Sequence, residues 1–118
     1  MLEAVGQTHW PDYFRTLYDR LRPGAAAVVQ VITIDEKRYD HYLSNTDFIQ
    51  RYIFPGGMLP TENHLCELAR ESGLEPLALE RYGEHYADTL ADWGEAFNAQ
   101  TPWLEEHGYD VRFRRMWR

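Results

Sequence analysis

The segment that most constrains the fold is an uncharged run over residues 25–34, Ala-Ala-Ala-Val-Val-Gln-Val-Ile-Thr-Ile. Apolar and β-branched residues fill nearly every position, without the alternation of a half-exposed strand. Such a run is typical of a strand buried on both faces of a parallel sheet. A helical pattern over 10–21 and a Pro-Gly pair precede it, which is the order of half a βαβ unit. The sequence therefore predicts an α/β protein.

Beyond this run, hydrophobic periodicity predicts several helices and one further strand. Residues 74–82 alternate loosely, and Pro76 places them at a sheet edge. Two strands cannot bury both faces of the central run. We therefore expect the 118 residues to form a single partial domain, incomplete in its sheet, that self-associates. Helices are predicted over residues 10–21 and, as one or two short segments, within 36–54. A third helical region runs from a Thr61 cap to Ser72 and stops at Gly73. A fourth runs from Tyr86 through Phe97, and a last segment starts near residue 110.

Composition narrows the class of function. The formal net charge is −7, whereas nucleic-acid-binding proteins normally carry a basic surface. The chain has one cysteine, Cys66, so an internal disulfide is excluded and a reducing cytoplasm fits. The histidines lack the spacing of the common zinc motif, and no run reaches the roughly 18 apolar residues of a membrane span. We expect a cytoplasmic protein with no metal site and no nucleic-acid partner.

The exception to this acidity is the segment Arg112-Phe-Arg-Arg-Met-Trp-Arg118. Its cationic and aromatic side chains suit contact with a membrane surface, which would make the protein peripheral at the inner membrane face. The same pattern also suits an ordinary amphipathic helix whose apolar side faces the core. Both interpretations stay open at the level of sequence.

Three polar residues occupy positions where α/β sheets commonly place ligand contacts. Glu3 lies at a predicted strand-to-loop junction, where its carboxylate could hold a ligand or simply be solvated. Gln30 interrupts the apolar run, and a buried amide needs a hydrogen-bond partner from a ligand or from the protein. Tyr86 begins a predicted helix, where its phenol could donate to an anion or cover the core.

Four sequence blocks follow one another in a characteristic order. The most specific is Ile53-Phe-Pro-Gly-Gly57 followed by Leu59-Pro60. The others are Glu3-Ala-Val-Gly6, the run Val28-Val-Gln-Val-Ile-Thr-Ile34, and Tyr86-Ala-Asp-Thr-Leu90. Tyr13-Phe14 and Leu21-Arg-Pro-Gly24, between the first two blocks in chain order, are further matches. Over nearly the whole chain, this order resembles the second half of the cyclopropane-fatty-acyl-phospholipid synthase family.

The resemblance implies the C-terminal half of a class I methyltransferase (Rossmann-like) sheet, with extra helices covering the substrate pocket. It implies a reaction in which S-adenosylmethionine adds a methylene or methyl group to the double bond of an unsaturated phospholipid acyl chain. The glycine-rich loop that holds the cofactor in this fold is not among these residues. The resemblance therefore implies that the N-terminal cofactor-binding half is absent, that no cofactor-binding residue lies here, and that the chain is inactive alone.

The resemblance also implies a bound bicarbonate that acts as the base. Carried over by position, its contacts are Glu3, a backbone group at Ile32, and Tyr86. Gln30 stands where the family has a histidine, and glutamine cannot titrate near neutral pH. This departure leaves two alternatives open: a methyl or methylene branch in place of a ring, and a small-molecule nitrogen or oxygen acceptor. A non-catalytic module that pairs with a partner chain through exposed sheet edges and apolar surface is a third alternative.

Overall fold

The computed structural model describes residues 2–118 and divides the chain into two compact units, Met1–Ala78 and Leu79–Arg118. Within the described residues, every regular element is helical. The first unit contains 3-10 turns at Leu2–Ala4 and Gln7–His9, helices α1 (Trp10–Arg20), α2 (Glu36–Ser44) and α3 (Glu62–Glu71), and a π-helical segment at Ile49–Ile53. The second unit contains α4 (Gly83–Ala99), α5 (Thr101–Glu106) and α6 (Val111–Trp117).

The core of the first unit forms where α1 and α3 pack on the first 3-10 turn. Its buried members are Leu2, Trp10, Phe14 and Ala69. The Trp10 indole N–H donates to the backbone oxygen of Leu2 at 3.2 Å, so the buried ring keeps a partner for its one polar atom. Burying side chains of this size contributes about 1.5–3 kcal/mol each, which fixes the turn against α1. The predicted helix over 10–21 is confirmed.

Helix α3 begins and ends at the predicted residues. Thr61 is fully buried, and its hydroxyl accepts the His64 backbone N–H at 3.2 Å. The His64 ring nitrogen Nδ1 accepts the Thr61 N–H at 3.4 Å, which completes a capping box with an imidazole in place of the usual carboxylate. At the other end, Gly73 has a φ of +88°, a conformation that favours glycine.

The two predicted strands are wrong for this structure. Residues 25–34 and 74–82 have no regular secondary structure, and residues 2–118 contain no strand at all. A strand needs a neighbour for its backbone hydrogen bonds, and no described segment forms such a ladder with either run. Val28 is accordingly 97% exposed. The short region around Glu3, expected as the tail of a strand, is instead a 3-10 turn.

The second unit has a much thinner core. Leu104 is its one buried residue among those described, and Phe113 lies between the rings of Phe97 and Tyr109, with centroids 6.5 and 4.7 Å away. Asp110 caps α6 by accepting the Phe113 N–H at 2.8 Å. The predicted helix from Tyr86 through Phe97 is confirmed within α4.

Two tyrosines on α2 provide a matched test of buried hydroxyls. Tyr39 and Tyr42 are both 8% exposed. The Tyr42 oxygen accepts the Leu59 N–H at 3.1 Å, whereas the Tyr39 hydroxyl has no partner within residues 2–118. Burial, aided by the nearby Tyr42 and Glu36, raises the pKa of Tyr39.

We predict that Tyr42→Phe lowers the free energy of unfolding by about 1–3 kcal/mol, because it leaves the Leu59 N–H unpaired. Tyr39→Phe removes no hydrogen bond. The free energy of unfolding of this variant should therefore lie between the wild-type value and about 0.5 kcal/mol above it. Urea unfolding of the 118-residue chain measures both. Equal losses in the two variants would contradict the assigned Tyr42 bond.

Candidate functional site

Glu3 is the residue that joins three of the four sequence blocks. Its carboxylate oxygen Oε1 accepts the backbone N–H of Ile32 at 2.9 Å. Its backbone oxygen accepts the N–H of Met58 at 2.9 Å. Glu3 therefore contacts both the apolar run at 25–34 and the segment that follows Pro-Gly-Gly, although both lie far away in sequence.

The electrostatics of Glu3 favour its charged form. Partial burial raises the pKa of the Glu3 carboxyl, while hydrogen bonds from the Ile32 N–H, from the N-terminal amino group and from its own backbone N–H lower it. The positive charge of the N-terminal amino group lowers this pKa as well. The net pKa lies below the ordinary value of 4.5. Glu3 is therefore a fixed carboxylate at neutral pH, suited to accept a hydrogen bond from a ligand.

The segment Pro55–Pro60, here called the Pro-Gly-Gly segment, packs beside Glu3. The Gly57 N–H donates to the backbone oxygen of Phe54 at 2.9 Å, and Gly56 has a φ of +82°, so the turn requires a glycine there. A cleft of about 230 Å³ opens next to it. The residues that line this cleft are Tyr42, Leu43, Asn45, Thr46, Gln50, Gly56, Gly57 and Met58.

The four predicted site residues differ in their surroundings. Glu3 and Ile32 are brought into direct contact, as described above. Gln30 is exposed, so the expectation of a buried amide is wrong; the run that holds it forms no strand to enclose it. Tyr86 belongs to the second unit, where it is 41% exposed and its ring meets Trp93 edge-on at 6.5 Å.

Residues that position Glu3 were missed at the level of sequence. Met58 and Gly57 belong to the most specific sequence block, but no local pattern links that block to Glu3. Gln50 donates from Nε2 to the Gly57 oxygen at 3.3 Å, and nothing in its neighbours indicates this bond. A long separation along the chain hides such contacts from periodicity.

Two negative findings concern the described part of the chain. Residues 2–118 contain no cluster of three or more histidine, cysteine or acidic side chains arranged to hold a metal ion. In the same range, none of the helices has the length and apolarity that crossing a bilayer requires.

Comparison with known proteins identifies the family. A family model described as mycolic acid cyclopropane synthetase matches residues 1–118. The chain belongs to this family. It is 37% identical over 118 residues to tuberculostearic acid methyltransferase UfaA1 of Mycobacterium tuberculosis, covering 99% of the chain and 28% of that protein. It is 31% identical over 116 residues to cyclopropane-fatty-acyl-phospholipid synthase of Escherichia coli K12, covering 98% of the chain and 29% of that protein.

Other relatives extend the range of substrates named in the family. Sphingolipid C9-methyltransferase 1 of Gibberella zeae is 28% identical over 119 residues, covering 99% of the chain and 23% of that protein. The chain thus spans less than a third of the length of these relatives. No solved structure matches it. The family predicted from the four blocks is confirmed.

We predict that the Glu3→Gln variant loses the part of the stability that depends on the carboxylate charge. The pKa of Glu3 is lowered in the folded chain. The contribution of its charge to the free energy of unfolding is therefore complete above pH 4.5 and disappears as the pH falls through the folded pKa. The variant should be less stable by about 1 kcal/mol at neutral pH, and the difference should shrink on acidification.

Urea unfolding over a series of pH values measures this difference. Glu67→Gln, at an exposed glutamate on α3, serves as the matched control and should be as stable as the wild type at neutral pH. A Glu3→Gln deficit that stays constant down to strongly acidic pH would contradict the role assigned to the charge.

Proposed function

We propose that this chain is part of an S-adenosylmethionine-dependent methyltransferase that adds a methylene or methyl group to the double bond of an unsaturated acyl chain. Relatives of matching sequence are named as methyltransferases and cyclopropane synthases of fatty acyl chains. The observation that carries the proposal is the Glu3–Ile32 hydrogen bond, which joins two residues assigned to one anion site from separate blocks. The methyl-donor site is proposed to lie mostly outside these residues.

The residues of the proposed anion site fit bicarbonate in a defined way. The ionised Glu3 carboxylate would accept the hydrogen bond of the bicarbonate O–H. The Ile32 N–H is already bound to Glu3, so Ile32 acts by positioning the carboxylate. The exposed Gln30 amide is a proposed donor to the anion. When bound, bicarbonate would supply the base for the proton released as the ring closes.

Gln30 supports a second outcome of the same chemistry. An amide can donate to an anion but cannot take up or release a proton near neutral pH. Proton removal with ring closure would then be slower, which allows a hydride shift within the carbocation to compete. The shifted carbocation would lose a proton from the added methyl group to form a carbon–carbon double bond, and the product is a methylene branch. We therefore include methylene branching as the alternative outcome.

The test uses a longer polypeptide that joins this chain to a glycine-rich cofactor loop. With labelled S-adenosylmethionine and unsaturated phospholipid, we predict label in the acyl chains. Glu3→Gln should reduce turnover by about 100-fold or more, as for a group that supports general-base catalysis. Glu67→Gln should retain full activity. Gln30→His should increase the fraction of ring product relative to branched product.

Absence of label from every lipid would overturn the substrate assignment. Full activity of the Glu3→Gln variant would overturn the anion site while leaving the substrate assignment intact.

Contact with a lipid surface is part of this proposal, because acyl chains of phospholipids reside in membranes. Helix α6 and the residue after it expose Arg112, Arg115 and Arg118, and Trp117 is 48% exposed beside them. Arg114 is excluded from this set because it binds the Glu105 carboxylate at 2.5 Å. Exposed arginines with an aromatic ring suit the anionic inner face of a membrane.

We predict that changing Arg112, Arg115 and Arg118 together to glutamine abolishes co-sedimentation of the 118-residue chain with phosphatidylglycerol vesicles. The same triple change at Arg15, Arg20 and Arg22, exposed in the first unit, is the matched control and should leave co-sedimentation unchanged. Binding should weaken with added salt, because exposed charges are screened. Equal loss in both triple variants would contradict a surface on α6.

A further inference from the structure

We propose that the Pro-Gly-Gly segment serves as the support that holds Glu3 in place, with Gly57 as a positioning residue that acts through Glu3. This inference rests on the proposed function, since it concerns the same anion site. It assigns a physical task to the sequence block that is most specific in this chain.

The first support is direct contact between the segment and Glu3. The Met58 N–H donates to the Glu3 backbone oxygen at 2.9 Å. A Cβ built on Gly57 would lie 3.8 Å from that same oxygen and only 3.0 Å from the Phe54 oxygen. The distance to Glu3 is an ordinary van der Waals contact, whereas the distance to Phe54 is too short for a side chain to fit without a shift. A side chain at Gly57 would therefore displace the tight turn, and with it the Met58 N–H that is bound to Glu3.

The second support is a set of hydrogen bonds that connects Glu3, the run at 25–34 and the Pro-Gly-Gly segment to one another. The Glu3 carboxylate accepts from Ile32, and two residues later the Ile34 N–H donates to the Pro60 oxygen at 3.0 Å. Two residues before Pro60, Met58 returns to the Glu3 backbone. A displacement of the Pro-Gly-Gly segment must therefore move the Glu3 backbone, the Ile32 amide or both.

Side chains from two other elements of the first unit hold the Pro-Gly-Gly segment in place. The Gln50 amide donates to the Gly57 oxygen at 3.3 Å, and the Tyr42 hydroxyl accepts the Leu59 N–H at 3.1 Å. These bonds come from the π-helical segment and from α2. Gly57 therefore lies between its anchors and the carboxylate that the site requires.

The first experiment is a double-mutant cycle in the longer, active polypeptide. Gly57→Ala should lower kcat about tenfold with little change in KM for the lipid, because small displacements of a positioned group are costly. In the Glu3→Gln background, the same change should cost less than about twofold. Equal losses in both backgrounds would overturn the proposal, because a purely structural role acts independently of the carboxylate.

The matched control for this cycle is Gly94→Ala. Gly94 lies inside α4, has no positive φ, and a Cβ there meets nothing within 4 Å. The control makes the same chemical change without crowding a neighbour and should retain activity. A loss in Gly94→Ala equal to that of Gly57→Ala would overturn the specific role of Gly57.

The second experiment needs no catalysis and is made on the 118-residue chain. The nuclear magnetic resonance shift of the Ile32 amide follows the protonation of Glu3, because that amide donates to its carboxylate. Its titration midpoint should rise toward 4.5 in Gly57→Ala and stay unchanged in Gly94→Ala. An unchanged midpoint in Gly57→Ala would overturn the proposal, whether or not the methyltransferase assignment stands.

A milder variant covers the case in which Gly57→Ala fails to fold. Gln50→Glu keeps an acceptor for the Asp47 N–H, bound at 3.1 Å, but loses the amide that donates to Gly57. It should raise the Ile32 midpoint in the same direction by a smaller amount. No change in that midpoint would overturn the anchoring part of the proposal.

Discussion

The hydrogen bond from the Ile32 amide to the Glu3 carboxylate is the interaction on which the arrangement of the first unit depends. It ties a 3-10 turn near the start of the chain to a run that has no strand neighbour among the described residues. The same turn is held against α1 by the packing of Leu2 on Trp10, whose side chains are 1% and 2% exposed. A core residue, Leu2, and the candidate site residue, Glu3, are therefore direct neighbours in the sequence.

The two units illustrate different degrees of stabilisation by burial. In the first, α1 and α3 close over apolar side chains, and the caps of α3 are fully satisfied. In the second, the apolar face of α4 stays open, with Leu90 and Trp93 50% and 60% exposed. An apolar surface of this kind gains free energy only when something covers it. The second unit would therefore gain stability from a partner or a lipid that covers this face.

Local sequence signals predicted the helices well, because their causes are local. The spacing of Trp10 and Phe14, the hydroxyl of Thr61 and the left-handed Gly73 each act within a few residues. The run at 25–34 was predicted as a strand from the same kind of pattern, but a strand depends on a partner elsewhere. β-Branched residues favour extended backbone without supplying that partner, so the prediction was wrong for this structure.

The candidate site was predictable in part for the same reason. Family resemblance placed Glu3 and Ile32 together before their contact was observed, whereas the exposure of Gln30 follows from the missing strand. The role of Met58 could not be found, because a backbone N–H carries no residue-type signal. Any amino acid except proline could donate that bond, and the sequence is silent about which one does.

The burial of Trp10 has a practical consequence. It is the one tryptophan in the core of the first unit, whereas Trp93, Trp103 and Trp117 in the second unit are all about half exposed. An indole in an apolar, hydrogen-bonded setting emits at shorter wavelength than one in water. Emission at the short-wavelength edge of the tryptophan fluorescence spectrum should therefore come from Trp10. A change in that emission would report a change in the packing of the turn that contains Glu3.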